Sequence, residues 1–159
     1  MLVLFRFLPS IDPKGKNYGQ SGVWRCFVLG LTLFFCAFTW LVELSVFGIL
    51  PQQGGFVSVL VGGGIGILFI ILGNYMPRIR QNYMFGVRTP WALADDENWK
   101  RTHRLGGKLF FLAGVVWIIS AAVAATGQSM LVLGMGSLLA ACLIPYAMSY
   151  YWWRKKETR

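Results

Sequence analysis

His103 is the only histidine in this 159-residue chain, and its surroundings are unusually polar. The stretch GVRTPWALADDENWKRTHRLGGK (residues 86–108) holds three of the six acidic residues and five of the fifteen basic ones. An imidazole near carboxylates is the raw material of general acid–base chemistry, and Asp96 and His103 fall on related turns of a helix. The remaining parts of an active site are missing from the pattern. The stretch contains no cysteine or serine, and Thr89 and Thr102 carry no signature of an activated nucleophile. A single histidine excludes a multi-histidine metal site or an H-E-x-x-H motif, and no glycine loop here cradles phosphate. The three cysteines, Cys26, Cys36 and Cys142, lie in apolar runs without C-x-x-C spacing. They read as small hydrophobes, not as a disulfide framework or zinc ligands. The sequence thus predicts a protein without catalytic residues, metal or cofactor.

The same residues do predict a helix. Asp95 suits an N-cap, and Asp96 and Glu97 place negative charge in the first turn. Asp96–Lys100 and Glu97–Arg101 are acid-to-base pairs with i, i+4 spacing in the favourable order. Trp99 and His103 share a face that can rest on membrane or protein. Pro90 biases Thr89 toward an extended conformation, and Gly106–Gly107 permit a bend before the next apolar run. The expectation is an amphipathic interfacial helix over residues 95–106.

Composition identifies what must position this stretch. The chain is 56% hydrophobic and 13% charged, with a mean hydropathy of +0.57. A soluble domain is typically about 45–50% apolar and about 25% charged. Four apolar runs are long enough to cross a bilayer. The expected organisation is an N-terminal segment over 1–23, spans at 24–50 and 56–76, a motif loop over 77–107, spans at 108–127 and 130–153, and a basic tail over 154–159. PQQGG (51–55) and GQS (127–129) are the short turns of two antiparallel hairpins. The fold class is all-α, a polytopic four-helix membrane bundle. MLVLFRFLPS shows no cleavable signal, because Arg6 interrupts its apolar stretch and no A-x-A site follows.

Every basic residue falls in one of three segments: Arg6 to Arg25, Arg78 to Lys108, and Arg154 to Arg159. Four spans put those segments on one side and both neutral turns on the other. The positive-inside rule then places both termini and the motif loop in the cytoplasm, beneath a bacterial inner membrane. Topogenic charge and anionic lipid contact account for most of the net charge of +9. There is no soluble module to present a nucleic-acid-binding face.

Within the spans, Gly62, Gly66 and Gly73 form a small-residue face for close packing, inside the bundle in preference to a seam between copies. Gly134 and Ser137 offer a second. Pro145 should bend or locally unwind the last span. Glu43 is the one carboxylate in an apolar run, about 25 Å along its helix from Cys26. That puts it near the outer boundary, as a candidate outer-side ligand site. With no second membrane carboxylate or lysine, a proton relay has nowhere to continue.

The loop GNYMPRIRQNYMFGVRTPW is harder to explain as a linker, since it mixes asparagine, glycine, arginine and tryptophan. Together with ALADDENWKRTHRLGGKLF it resembles the signature of the SdpI family, membrane immunity proteins against the sporulation-delaying peptide toxin. LPSIDPKGKNYGQSG resembles the family's basic, proline-containing segment before a span. The resemblance covers about Leu8 to Phe110 and is most specific from R-T-P-W to T-H-R. It singles out Asn74, Pro77, Asn82, Gly86, Arg88, Thr89, Pro90, Trp91, Trp99, His103 and Arg104 as motif or partner-binding residues. Longer members carry a further membrane segment before this region, and Met1 to Leu8 looks like its remnant. Position 81 is glutamine where many relatives have proline.

The resemblance implies immunity to a membrane-active peptide toxin, with signalling by holding a small cytoplasmic repressor at the membrane. The expected partners are the bilayer, a peptide toxin, and a repressor or the subunits of a membrane complex, with homo-oligomers also open. The alternative is a non-catalytic scaffold subunit of a larger membrane complex.

Overall fold

The computed structural model describes residues 22–51, 55–123 and 127–158. The N-terminal segment, with its basic residues and the LPSIDP region, lies outside the described residues, as do Gln52–Gly54 of the first turn. Among the described residues there are five α-helices: α1 (Gly22–Val46), α2 (Phe56–Tyr75), α3 (Pro90–Ala94), α4 (Asp96–Val123) and α5 (Gly127–Glu157). A 3-10 turn, Met76–Arg78, follows α2 directly. Among the described residues there is no strand. The long helices α1, α2, α4 and α5 are apolar enough and long enough to cross a membrane. This is an all-α, multi-pass membrane protein.

Backbone hydrogen bonding explains why such apolar segments are helical. A chain in hydrocarbon has no water to satisfy its amides, so each span closes its own bonds. Even the hydroxyls follow the rule: Thr32 donates to the Val28 carbonyl at 2.8 Å and Thr39 to that of Phe35 at 2.9 Å. The first span stops at Val46, short of Leu50, because Gly48 turns left-handed at φ 70°. The Ile49 amide then closes back onto the Leu44 carbonyl at 3.0 Å, the 6→1 bond of a glycine-terminated helix.

The most extensive interface joins α2 to α4, followed by α4 to α5, whereas α1 touches α2 only lightly. The α2–α4 seam is built from glycine on both sides. A Cβ on Gly66 would lie 2.7 Å from the Gly114 carbonyl oxygen, and one on Gly73 2.6 Å from that of Gly107. The reverse substitutions meet equally close backbone, at 2.5 Å for Gly114 and 2.6 Å for Gly107. Gly62 faces Ala121 and Met130 at the end of the same seam. A buried cluster of Trp117, Ala121 and Met130, with Ile65 and Phe69 against it, ties in α5. Gly134 of α5 lies flat on the Trp117 indole.

Several expectations are corrected here. Gly106 and Gly107 do not bend the chain: α4 runs unbroken from Asp96 to Val123, so the amphipathic helix and the third span are one element. The reason is packing, since both glycines are buried where Met76 and the α2 backbone press against the helix. Gly127 to Ser129 do not form the second turn but open α5. Pro145 is buried and leaves α5 helical throughout, without local unwinding. Asp96 and Lys100 make no ion pair, while Glu97 and Arg101 do.

Candidate functional site

The conspicuous loop between α2 and α4 is folded tightly onto the ends of the spans. It begins with the 3-10 turn, where Pro77 occupies an early position that needs no amide donor. Beyond it, Asn82 organises the backbone. Its Oδ1 accepts from the amides of Met84 (2.9 Å) and Phe85 (2.8 Å), and its Nδ2 donates to the Arg80 carbonyl (2.9 Å). The side chain is fully buried. An asparagine with both ends of its amide committed to local backbone fixes a turn as firmly as a short helix would.

The loop then reaches His103. Gly86 adopts φ 97° directly over the imidazole, so closely that any Cβ would overlap Nε2. The next amide, Val87 N–H, donates to His103 Nε2 at 3.2 Å. On the other side of the ring, Nδ1 donates to the Trp99 carbonyl at 3.0 Å. One nitrogen accepts and the other donates, so the geometry specifies a neutral ring in its Nδ1–H form. Trp99 stacks on that ring with centroids 3.9 Å apart, and its indole N–H donates to the Ile79 carbonyl at 2.9 Å. The Trp99–His103 pair therefore grips the loop at both ends. Its face rests on neither lipid nor solvent, because both residues are buried. The residue that raised the question of catalysis spends both ring nitrogens on structure.

A second network joins the loop to α4 and α5. Thr89 is extended and caps α3, accepting from the Ala92 amide at 3.1 Å, with Pro90 in the first helical turn. Thr89 Oγ1 lies 2.7 Å from Ser149 Oγ, and Ser149 Oγ donates to Asn98 Oδ1 at 3.3 Å. Because Ser149 has a single hydroxyl proton, Thr89 must donate to Ser149. Asn98 also accepts from Thr102 at 3.1 Å and returns a bond from Nδ2 to the Ser149 carbonyl at 2.9 Å. All four residues are buried. Such a network tolerates little rearrangement, since any broken link strands a polar group away from water.

Aromatic and charged contacts complete the cap. Trp91 packs edge-on against Tyr150 (5.0 Å) and Tyr146 (5.7 Å) of α5, with Trp153 at 6.3 Å. Gln81 donates to the carbonyls of Ala92 (3.1 Å) and Leu93 (2.8 Å), closing the end of α3. Proline could not make those bonds. Asp95 accepts from the Glu97 amide at 3.3 Å and pairs with Lys156 at 3.0 Å. Partial burial alone would raise the Asp95 carboxyl. The Lys156 hydrogen bond and charge, with the amides of Glu97 and Asn98, outweigh it and hold the group below its ordinary value.

The motif residues thus divide. Asn82, Gly86, Thr89, Pro90, Trp91, Trp99 and His103 converge in one cap, and Pro77 sits at its edge against Gly107. Asn74, Arg88 and Arg104 are exposed. Arg88 bonds the Tyr83 carbonyl at 2.7 Å and borders a groove of about 750 Å³ that continues past Leu93 and Phe110 to Cys142 and Tyr146. Glu43 belongs elsewhere. Phe27 of α1 stacks on Phe85 of the loop at 6.2 Å, so Glu43 lies about 24 Å further along the helix, away from the cap. The start of α1, the motif loop and the end of α5 therefore meet at one end of the bundle. Asn98 and Ser149 escape the sequence reading, and Thr102 enters it only as a discarded nucleophile. Asn98 and Thr102 could have been found as polar residues four apart on the Trp99 face, but Ser149 looks like any small residue of a span.

Among the described residues, no group of three or more His, Cys, Asp or Glu side chains is placed to hold a metal ion. No solved structure matches the chain. Residues 78–149, which include most of the cap, match the SdpI/YfhL protein family. The chain is 33% identical over 99 residues to the Immunity protein SdpI of Bacillus subtilis (strain 168), covering 62% of this chain but 47% of that protein. It therefore spans about half the length of that relative. It is also 31% identical over 90 residues to the uncharacterized protein YfhL of the same strain, covering 57% of this chain and 80% of YfhL. With four apolar spans and a cap assembled from the matched residues, this chain belongs to the SdpI/YfhL family.

Proposed function

We propose that this protein confers tolerance to a membrane-active peptide toxin and relays toxin occupancy through its cap to a cytoplasmic repressor. The carrying observation is that the family-matched residues form one hydrogen-bonded unit bridging the loop after α2, the start of α4 and the end of α5. A displacement of any of these spans would have to rearrange that unit. In this reading toxin binding shifts a span, the cap takes a second arrangement in response, and that change is the signal. Identity to a protein named for immunity supplies the class of ligand.

In this reading the cap and both termini face the cytoplasm, an orientation that the placement of the basic residues supports under the positive-inside rule. The opposite end, with Glu43 and the turn after α1, meets the toxin. Arg88 and Arg104 present the relay surface, and the buried motif residues hold it in shape. The protein performs no chemistry.

The test is survival of a sensitive strain challenged with the peptide toxin while expressing wild type, Arg88→Ala or Glu43→Gln at matched membrane levels. A reporter of the repressor is measured in parallel. Wild type should protect, Glu43→Gln should lose protection, and Arg88→Ala should protect while losing the reporter response. Absence of protection by wild type would refute immunity and turn the reading toward a scaffold subunit.

A further inference from the structure

On the outer side of Trp99, the loop and α4 enclose a polar cleft of about 400 Å³ between Arg78, Arg80, Gln81, Asp96 and Lys100. Among the described residues none of Arg78, Arg80 or Lys100 is in an ion pair. The neighbouring acids are committed elsewhere, Glu97 to Arg101 and Asp95 to Lys156. Only the Asp96 carboxylate faces the same space, against three cations. The walls are set firmly. Trp99 is tied to Ile79, Gln81 to α3, and the Arg78 guanidinium lies 5.7 Å from the Tyr75 ring centre.

Two guanidinium forks and an ammonium around one small cleft are the chemistry of phosphate recognition. What lies beside it indicates how the phosphate arrives. Pro77 also lines a second, apolar cleft of about 370 Å³ that runs between α2 and α4 past Gly73, Gly107, Phe111 and Leu112. The two clefts share Pro77, just past the end of α2, and Asn74 and Lys108 line the apolar one. A polar cleft and an apolar groove on either side of one proline match a phospholipid, headgroup in the first and acyl chain along the second. Basic pockets between membrane helices bind headgroups in this way.

We infer that the cleft between the loop and α4 is a phosphate site occupied by the headgroup of an anionic glycerophospholipid, with an acyl chain against Gly73, Phe111 and Leu112. The site is independent of the immunity reading. It would fix the boundary at which the cap meets the membrane.

The full chain, purified in mild detergent, is titrated with phosphatidylglycerol or phosphatidylcholine of identical acyl chains, and retained lipid is counted by native mass spectrometry. Phosphatidylglycerol should be retained preferentially. Each cation removed should weaken retention by about fivefold, so the Arg78→Gln/Arg80→Gln/Lys100→Gln protein should retain both lipids alike. Asp96→Asn should strengthen phosphatidylglycerol retention, a gain that misfolding cannot produce. Equal retention of the two lipids by wild type, or no effect of either variant, overturns the site. Glycerol 1-phosphate distinguishes the source. If it displaces the lipid only at far higher concentration, the lipid assignment stands; if it binds as tightly as the lipid, the ligand is a free phosphate ester and the lipid assignment falls.

Discussion

Helix α4 is held in two ways along its length. From Gly107 to Gly114 it meets α2 through backbone, glycine against glycine, with no room for a Cβ on either side. From Asn98 to His103 it meets the loop and α5 through buried hydrogen bonds. The difference follows from what each half is exposed to. Inside the bilayer there is little hydrophobic gain in joining two apolar helices, so contact rests on close fit. At the end of the bundle the eleven-residue connection over 79–89 carries its own amides, and they must be satisfied without water. Fit holds the seam together, and directional bonds give the cap a single geometry.

Substitutions at glycine should separate the two most sharply. Gly73→Ala forces α2 and α4 apart at backbone level and should cost about 3 kcal/mol or more, read as loss of folded protein in a detergent unfolding titration. Gly63→Ala, one residue from the seam with nothing within 4 Å of its Cβ, should change stability by less than about 0.5 kcal/mol. Equal effects would mean that the seam is not held by fit. Gly86→Ala brings left-handed strain and a collision with His103, and should cost about 2–3 kcal/mol. Pairing it with His103→Ala should recover the collision but not the strain, a coupling that a double-mutant cycle measures.

The cap's hydrogen bonds should give smaller, graded losses. Asn82→Ala leaves the Met84 and Phe85 amides without their acceptor and should cost about 2 kcal/mol, with faster hydrogen exchange confined to the loop. Thr89→Val keeps shape but removes the α3 cap and the Ser149 link, for about 1–2 kcal/mol. The smallest effect belongs to Asp95–Lys156, an exposed pair worth at most about 1 kcal/mol and screened by salt. Its sign is fixed, because the Asp95 carboxyl is held below its ordinary 3.8. The contribution is present above that value and disappears as pH falls through the folded one. Lys156→Ala should flatten that part of the acid unfolding profile.

Most of the architecture was legible in the residues. Four apolar runs with short turns required a helical membrane bundle, because hydrocarbon leaves a single chain few other ways to satisfy its amides. Charge placement put the start of the first span, the motif loop and the end of the last at one end, as the Phe27–Phe85 and Asp95–Lys156 contacts do. The seam was half legible. Gly66 and Gly73 stand out in the sequence, but Gly107 reads there as part of a bend and Gly114, at the same spacing on α4, as nothing in particular. Two matched rows on separate segments become a signal only once those segments are paired antiparallel.

The sequence by itself determined composition-driven properties: the membrane as solvent, the number of spans and the family. Those depend on the summed character of long segments, which survives ignorance of contacts. Tertiary structure decided what each motif residue is for. His103, the lone histidine and seven residues after Asp96 in sequence, becomes a neutral brace because an amide sixteen residues earlier meets one nitrogen and its own helix meets the other. Ser149 becomes part of the cap because α5 returns beside α4 and presents it to Asn98, fifty-one residues away. Hydrogen bonds act over about 3 Å, so their partners exist only after the helices have packed.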